Sequence, residues 1–186
     1  MLKIVIISAS VRTGRSSHRV ALYLKSYSED NGLATAEILD LNIYNFPLFD
    51  ERLKYQENPS VPAMEYAEKI RTADGVIIVA PEYNGGYPAS LKNAIDLLTD
   101  EWFKKPVAIA TVSSGSFGGT QMVTSLQFVL WKIKALTVNV MFPVAKVNES
   151  FDEKGTAADK QGTDKKAAVF FRELLWSIEA KAGMKS

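Results

Sequence analysis

Residues 75–96 read GVIIVAPEYNGGYPASLKNAID, and they contain the pattern that decides the fold. The run Gly75–Ala80 is apolar throughout, which is typical of a strand buried on both faces of a parallel sheet. The loop that follows lies between Pro81 and Pro88 and contains two adjacent glycines. Apolar side chains then recur at helical spacing, at Leu91, Ala94, Ile95 and Leu98. The stretch therefore predicts a strand, a loop and a helix in succession.

The same alternation continues in both directions along the chain. Strands are predicted at Ile4–Ile7, Thr35–Leu41, Gly75–Ala80, Val107–Val112 and Thr137–Met141. Helices are predicted around Val20–Tyr27, over Met64–Thr72, after Pro88, over Met122–Ile133 and around Phe171–Ile178. Buried strands joined by helices need crossover connections, so the sheet should be parallel. We predict an α/β fold with a doubly wound five-stranded parallel sheet in three layers, as one domain over residues 1–186.

Composition excludes several function classes. With 22 basic and 21 acidic residues the net charge is +1, which gives no global attraction to nucleic acid or to an anionic membrane. The chain has no cysteine and one histidine, His18, so a thiolate or histidine-rich metal site is not expected. No apolar run reaches the length of a membrane span, and a cytoplasmic protein is the expectation.

Two segments break the alternation. Residues 42–62 contain three prolines and several aromatic residues, so we expect them to fold over the sheet edge or against a neighbouring subunit. Residues 149–166 are polar and carry charges of both signs. We expect the second segment to be a solvated excursion before the last helix.

Ligands of doubly wound folds bind at the carboxyl ends of the strands. That rule selects three loops, which are Ser8–Ser17, Pro81–Pro88 and Ser113–Gly119. In the first, hydroxyl groups and backbone N–H groups at a helix N-terminus form an anion site, to which Arg12 or Arg15 adds a forked contact. The alternative is an ordinary helix cap made by a serine of the loop, with both arginines in solvent.

Two nucleotide-binding fingerprints do not fit this loop. A dinucleotide fingerprint needs G-x-G-x-x-G, whereas the turn contains only Gly14, although Asp40 is placed like a ribose-binding acid. A P-loop needs G-x-x-x-x-G-K-[ST], whereas Ala9–Ser16 reads A-x-x-x-x-G-R-S. Nucleotide hydrolysis is therefore not favoured.

The stretch from Pro81 to Asp96 closely resembles the P-E-Y-N-x-x-x-P-x-x-L-K-N-A-I-D motif of NAD(P)H-dependent FMN reductases, a flavodoxin-like family that includes quinone, azo-dye and chromate reductases. Ala9–Arg12 is similar to the G-S-x-R phosphate loop of that family, with alanine in place of glycine. Ser113–Gly119 resembles its glycine-rich flavin loop, and Asn45–Asp50 its proline-containing loop after the second strand.

This resemblance implies an FMN site and a hydride transfer from NADPH or NADH to flavin N5. The phosphate would be held by Ser10, Arg12, Ser16, Ser17 and His18. The ring and ribityl chain would be contacted by Pro81, Glu82, Tyr83 and Asn84, with backbone donors at Gly85, and by Ser113, Ser114 and Gly115 on the other side. Because the cofactor supplies the chemistry, no catalytic acid or base is expected, and Glu82 is interpreted as a structural carboxylate.

Two other functions stay open at this point. A flavodoxin-like electron carrier would bind FMN without its own reductase activity, but such carriers are usually strongly acidic. A nucleotide-binding regulatory module would bind no flavin. For the reductase, the resemblance implies that a small molecule such as a quinone, a free flavin or an azo compound accepts the electrons.

We also expect a homodimer or a dimer of dimers. The apolar stripe that includes Leu98, together with Phe128 and Trp131 outside the main stripe of their helix, provides more apolar surface than one sheet face covers. Relatives of the family pair through the corresponding helices. The alternative is that Trp131 lies under the loop of residues 42–62.

Overall fold

The computed structural model describes residues 1–184. The strands are β1 (Lys3–Ser8), β2 (Thr35–Asp40), β3 (Gly75–Pro81), β4 (Pro106–Val112) and β5 (Leu136–Val144). The helices are α1 (Ser17–Asp30), α2 (Leu41–Tyr44), α3 (Val61–Thr72), α4 (Ala89–Asp96), α5 (Met122–Lys132), α6 (Val147–Ser150) and α7 (Lys160–Gly183). Short 3₁₀ turns lie at Leu53–Tyr55 and Asp100–Trp102.

The sheet has the order β2-β1-β3-β4-β5, and every neighbouring pair is parallel. Each face of the sheet has its own apolar core. Helices α3, α4 and α5 contribute to one core through residues such as Ile70, Leu91 and Leu126. Helices α1 and α7 contribute to the other through residues such as Leu24 and Phe170. The predicted doubly wound, flavodoxin-like three-layer fold is therefore confirmed.

The central and edge strands differ in the way their sequences predict. Strands β3 and β4 are buried along almost their whole length, as expected of strands with helices on both faces. Strand β5 lies at the edge, alternates between buried and exposed residues, and extends to Val144, three residues beyond the predicted end. Its exposed residues are Leu136, Asn139, Met141 and Pro143, two of which are large and apolar.

The prediction that residues 149–166 form a solvated excursion before the last helix is only partly right: most of these residues are exposed, but the segment is anchored to the core. Phe151 and Ala157 are buried and pair in a short antiparallel bridge, and helix α7 already begins at Lys160. Gly155 has φ +83°, and a Cβ atom there would lie 2.7 Å from the Arg19 carbonyl oxygen. The segment therefore packs tightly on α1, and a few apolar residues and one glycine hold it there.

Residues 42–62 fold onto their own chain. The ring of Phe46 meets Tyr66 of α3 edge to face, with centroids 5.2 Å apart. The side chain of Asn93 on α4 holds the loop at two points: its Nδ2 donates to the Pro47 carbonyl at 2.6 Å, and its Oδ1 accepts from the Phe49 amide at 2.6 Å. This segment thus extends the surface around α3 and α4.

The two helices invoked for surplus apolar surface behave differently. The stripe of α4 faces the core, and Leu98 just beyond it is also buried, so this stripe offers no surface to a partner. On α5, by contrast, Phe128 and Trp131 are 62% and 67% exposed and contact each other at 5.8 Å between ring centroids. The alternative that Trp131 lies under the loop of residues 42–62 is wrong, because its ring is exposed.

None of the helices within residues 1–184 combines the length and the apolar character that crossing a membrane requires.

Candidate functional site

Loops from four strands meet at the carboxyl edge of the sheet and enclose an open cavity of about 330 Å³. It is lined by Ser10, Arg12, Gly14, Arg15, Ser16, Ser17, Pro81, Glu82, Tyr83, Val112, Ser113, Ser114, Val147 and Asn148. The three loops selected from the sequence all contribute. The cavity therefore lies at the edge of the sheet where ligands of doubly wound folds bind.

Most of the residues predicted for the site line this cavity. The exceptions are His18, Asn84, Gly85 and Gly115, which lie in the adjoining turns and helix. Sequence reasoning did not assign Gly14, Val112, Val147 and Asn148 to the site, and it left the side chain of Arg15 without a settled role. Val147 and Asn148 follow β5, so the position of that strand beside β4 is the signal that would have found them.

The loop after β1 is held by a tight turn. The Arg15 amide donates to the Arg12 carbonyl at 3.2 Å, and Gly14 adopts φ +69°, which favours glycine. Ser10 is fully buried, and its hydroxyl lies 2.6 Å from the hydroxyl of Tyr83 in the second loop. The side chain of Arg12 is exposed and has no hydrogen-bond or ion-pair partner within residues 1–184. The turn thus presents one free guanidinium at the cavity.

Arg15, the other arginine of the loop, does not lie in solvent. Its guanidinium forms a two-point ion pair with the carboxylate of Asp40 and also donates to the Ser10 carbonyl at 2.8 Å. Burial raises the pKa of Asp40, but the hydrogen bonds from Arg15 and the Asn42 amide, with the Arg15 charge, outweigh it and leave this pKa below its ordinary value. The carboxylate of Asp40, which is placed like a ribose-binding acid, is therefore already paired with Arg15.

His18 lies behind the loop on α1. Its Nδ1 atom is 3.0 Å from the Ser8 hydroxyl and 3.7 Å from Oδ2 of Asp40. Burial lowers the pKa of His18, and the attraction of Asp40, which acts in the opposite direction, does not reverse the shift. The neutral imidazole is thus favoured at neutral pH.

The N-terminus of α1 carries two serine hydroxyls that do not cap the helix. Ser16 precedes the helix but makes no capping hydrogen bond, because its hydroxyl donates instead to Oδ1 of Asn148 at 2.6 Å. The hydroxyl of Ser17 is buried and has no partner among the described residues. Ordinary capping by either serine is therefore not what the loop does, and unpaired donors at a helix N-terminus suit a phosphate group. The residues present fit the phosphate of a cofactor.

The second loop makes a two-residue turn at the cavity. The amide and carbonyl of Tyr83 pair with those of Gly86 at 2.8 and 3.0 Å, with Asn84 at φ +52° and Gly85 at φ +81°. The Glu82 amide donates to the Val112 carbonyl at 3.3 Å, which joins this loop to the end of β4. The turn is therefore held by its own hydrogen bonds and by a hydrogen bond to the end of β4.

The third loop is bonded to the one after β5. The Val147 amide donates to the Ser113 carbonyl at 3.0 Å, and the Lys146 amide donates to the Gly115 carbonyl at 2.9 Å. At Gly119 (φ +70°) a Cβ atom would lie 2.7 Å from the Val112 carbonyl oxygen, so only glycine fits there. The two loops form one wall of the cavity.

Comparisons with known proteins match this chain over most of its length. The family model for NADPH-dependent FMN reductase matches residues 2–149. An NAD(P)H-dependent FMN reductase of Saccharomyces cerevisiae is 33% identical, covering 77% of this chain and 80% of that protein. A quinone reductase of Escherichia coli K12 is 36% identical, covering 74% of each. Among solved structures, a flavoenzyme NAD(P)H:(acceptor) oxidoreductase of Paracoccus denitrificans superimposes with a TM-score of 0.78 at 22% identity, over 97% of this chain and 98% of that one.

Proposed function

The chain belongs to the NADPH-dependent FMN reductase family, and we propose that the cavity at the carboxyl edge of its sheet is where it binds FMN. The protein is an oxidoreductase that uses FMN and NAD(P)H. This proposal is carried by the buried, unpaired hydroxyl of Ser17 and the free guanidinium of Arg12, two residues that line the same cavity. Neither group has a partner in the described chain, and a phosphate would supply one to both.

In this proposal the phosphate lies over the first turn of α1. Ser17 donates its hydroxyl to it, and Arg12 supplies a charge-assisted hydrogen bond. Ser10 and Ser16 shape the pocket, since their hydroxyls already contact Tyr83 and Asn148. His18 supports the loop from behind through Ser8.

The ring system of FMN lies across the strand ends in this proposal. Pro81, Glu82 and Tyr83 form one side, and Ser113 and Ser114 form the other. The turn at Asn84 and Gly85 and the turn at Gly115 supply backbone N–H donors toward the ring, where reduction places negative charge. When bound, FMN supplies the hydride and electron transfer, and the protein residues bind it and orient it.

The site assignment is tested by cofactor binding. We expect the purified protein to carry FMN, or the apoprotein to bind FMN tightly, because the cavity has one phosphate-sized cradle. Titration of the apoprotein with FMN and with FAD, followed by flavin fluorescence, measures both affinities. Failure to bind FMN, or extraction of FAD from the purified protein, would contradict the assignment.

For the reaction we propose that the second substrate is a quinone or a similar small acceptor. The E. coli relative is named a quinone reductase. Donor and acceptor would use the same exposed face of the cofactor in turn, so NADPH oxidation should follow ping-pong kinetics. Parallel double-reciprocal lines with a water-soluble quinone support this reading, whereas intersecting lines argue against a shared face.

We further propose that the protein is a homodimer, or a dimer of dimers, through the outer face of α5. Phe128 and Trp131 form an exposed aromatic pair there, and such surface is commonly covered. Leu98 is part of the core, so its replacement would unfold the chain and does not test the interface. Trp131→Glu should lower the oligomeric state measured by light scattering, to a monomer if the wild type is a dimer, while Trp176→Glu, on the exposed face of α7, should leave the assembly unchanged. A monomeric wild type at micromolar concentration would overturn this proposal.

A single domain and a cytoplasmic location complete the proposal. Both apolar cores flank one sheet, which supports one domain over the whole chain. NAD(P)H-dependent reduction suits the cytoplasm, where metabolism regenerates NAD(P)H. Cell fractionation with an antibody against the protein tests the location.

A further inference from the structure

The ion pair between Arg15 and Asp40 lies directly behind the proposed phosphate loop. Their side chains are only 15% and 7% exposed, and both guanidinium nitrogens of Arg15 that face Asp40 are bonded to its carboxylate. One of these nitrogens also donates to the Ser10 carbonyl at 2.8 Å. The pair is thus connected to the backbone of the loop by a third bond.

Asp40 is a firm anchor for this pair. It ends strand β2 in register with Ser8 of β1, so its backbone belongs to the sheet. Its carboxylate also accepts the Asn42 amide at 3.0 Å as the N-cap of α2. His18 faces the same carboxylate from α1 at 3.7 Å. Because the sheet holds the backbone of Asp40 and the Asn42 amide holds its carboxylate, Asp40 gives the Arg15 guanidinium a fixed partner.

Ser10 is therefore fixed from two sides. Arg15 holds its carbonyl, and Tyr83 holds its hydroxyl. Arg12, the free arginine, lies two residues further on, within the turn that the Arg15 amide closes. Arg15 thus closes the turn that carries Arg12 through its backbone and is bonded to Asp40 through its side chain.

We propose that Arg15 and Asp40 are positioning residues, which hold the loop after β1 in the shape that receives the FMN phosphate. This inference rests on the proposed function. It assigns to a carboxylate, a group that by its charge alone would repel a phosphate, a favourable effect on phosphate binding. Charge and positioning thus predict opposite results when Asp40 is neutralised.

Asp40→Asn is the decisive variant. If charge alone mattered, removing the carboxylate would free the Arg15 guanidinium and tighten FMN binding. If Asp40 positions the loop, FMN binding weakens, by about tenfold, because Arg15 loses its anchor. Riboflavin, which lacks the phosphate, should bind with an affinity within about twofold of that of the wild type in either case. Titration of the apoproteins with both flavins, followed by fluorescence quenching, separates these outcomes.

Conservative variants keep the test decisive if Asp40→Asn folds poorly. Arg15→Lys retains the charge but loses the two-point contact, so it should weaken FMN binding and spare riboflavin binding. Asp40→Glu should recover part of the FMN affinity that Asp40→Asn loses. The double variant Arg15→Gln/Asp40→Asn should be no weaker than either single variant, because both remove the same unit.

A carboxylate in an exposed ion pair provides the control. Glu68 pairs with Arg71 on α3, away from the cavity, and Glu68→Gln should change neither affinity. Unchanged or tighter FMN binding by Asp40→Asn would overturn the inference, as would equal losses for FMN and riboflavin. A wild-type apoprotein that binds no FMN would instead overturn the proposed function itself.

Discussion

The two edges of the sheet treat polar side chains in opposite ways. At the amino edge, Lys105 is 4% exposed, and its ammonium group donates to the carbonyl of Ala73 and to that of Arg71 at 3.1 Å. At the carboxyl edge, the buried hydroxyl of Ser17 has no partner among the described residues and Arg12 is free. Each edge thus holds a buried polar side chain, but of these two only Lys105 has hydrogen-bond partners among the described residues.

This contrast separates polar groups that stabilise the fold from those kept for a ligand. A buried hydroxyl without a partner costs free energy. Among the described residues this holds for Ser17, Tyr66 and Thr111, and only Ser17 lines the cavity, where a bound group can satisfy it. The amino-edge lysine satisfies the last carbonyls of α3 and so contributes to the fold. Variants at the two edges should therefore change different measured quantities.

The largest effect is expected for Arg12→Ala. Loss of a charge-assisted hydrogen bond to phosphate should weaken FMN binding by about 1.5–3 kcal/mol, which is roughly a 10- to 150-fold change in Kd. Apoprotein stability should not change, because the side chain is exposed and unpaired. Fluorescence titration and thermal melting measure the two quantities. Arg71→Ala on α3 is the matched control, and equal FMN affinities for Arg12→Ala and wild type would remove Arg12 from the site.

Lys105→Met should change the pH dependence of stability and leave FMN affinity unaltered. Burial lowers the pKa of Lys105 to about 8, and the Lys181 charge adds to this against the opposing charge of Asp74. Between pH 8 and about 10.5 the unfolded chain therefore binds more protons than the folded one, so wild-type stability rises with pH relative to the variant. The gain between pH 7 and 10 is on the order of 2 kcal/mol. Denaturant unfolding at both pH values checks it, and a pH-independent difference would contradict the shifted pKa.

A smaller and more pointed comparison uses two buried serines. Ser17→Ala removes an unpaired hydroxyl, so apoprotein stability should hold or rise while FMN binding weakens by about 0.5–1.5 kcal/mol. Ser28→Ala removes a hydroxyl that donates to the Ala34 carbonyl at 3.1 Å, so it should cost about 1 kcal/mol of stability and no FMN affinity. If Ser17→Ala destabilised the apoprotein as Ser28→Ala does, the Ser17 hydroxyl would have a structural role instead.

The smallest effect concerns His18. Since burial lowers its pKa, the unfolded chain takes up more protons than the folded one as the pH falls through 6.5, and apoprotein stability falls with it. His18→Gln should make this decline between pH 7.5 and 5.5 shallower. Asp40, whose pKa is lowered, contributes its own loss only at more acidic pH. Melting temperatures of the two proteins across that range provide the check, and identical slopes would contradict the assignment.

The fold was predictable because its central strands β3 and β4 consist almost entirely of apolar residues. The errors concerned the segment of residues 149–166 and the role of the apolar stripe of α4. Phe151 and Ala157 anchor a segment that is otherwise polar, and two apolar residues among many charges do not outweigh composition in a window average. Helical spacing likewise identified the stripe of α4, but spacing alone does not say whether a stripe faces a core or a partner, and here Leu98 faces the core.

The candidate site was predictable in its loops and less so in its contacts. The resemblance to a family gave the loop residues, and the edge rule gave their convergence. The contact of Ser16 with Asn148 joins residues 132 positions apart, and that of Arg15 with Asp40 joins residues 25 apart. Such pairings depend on the strand order, which local patterns do not encode. For this reason the structure was needed to show that Arg15 pairs with Asp40 while Arg12 stays exposed.

The three tryptophans differ in exposure, and this difference gives the protein its own optical reporters. Trp102 is fully buried, with its indole N–H bonded to the Ile95 carbonyl at 3.2 Å, whereas Trp131 and Trp176 are 67% and 65% exposed. Emission from Trp102 should be blue-shifted and protected from iodide, so that it reports unfolding. In a Trp176→Phe background, the iodide-quenchable emission comes from Trp131 alone. Dilution of the protein would then reveal, from the fraction of light that iodide removes, whether another molecule shields α5.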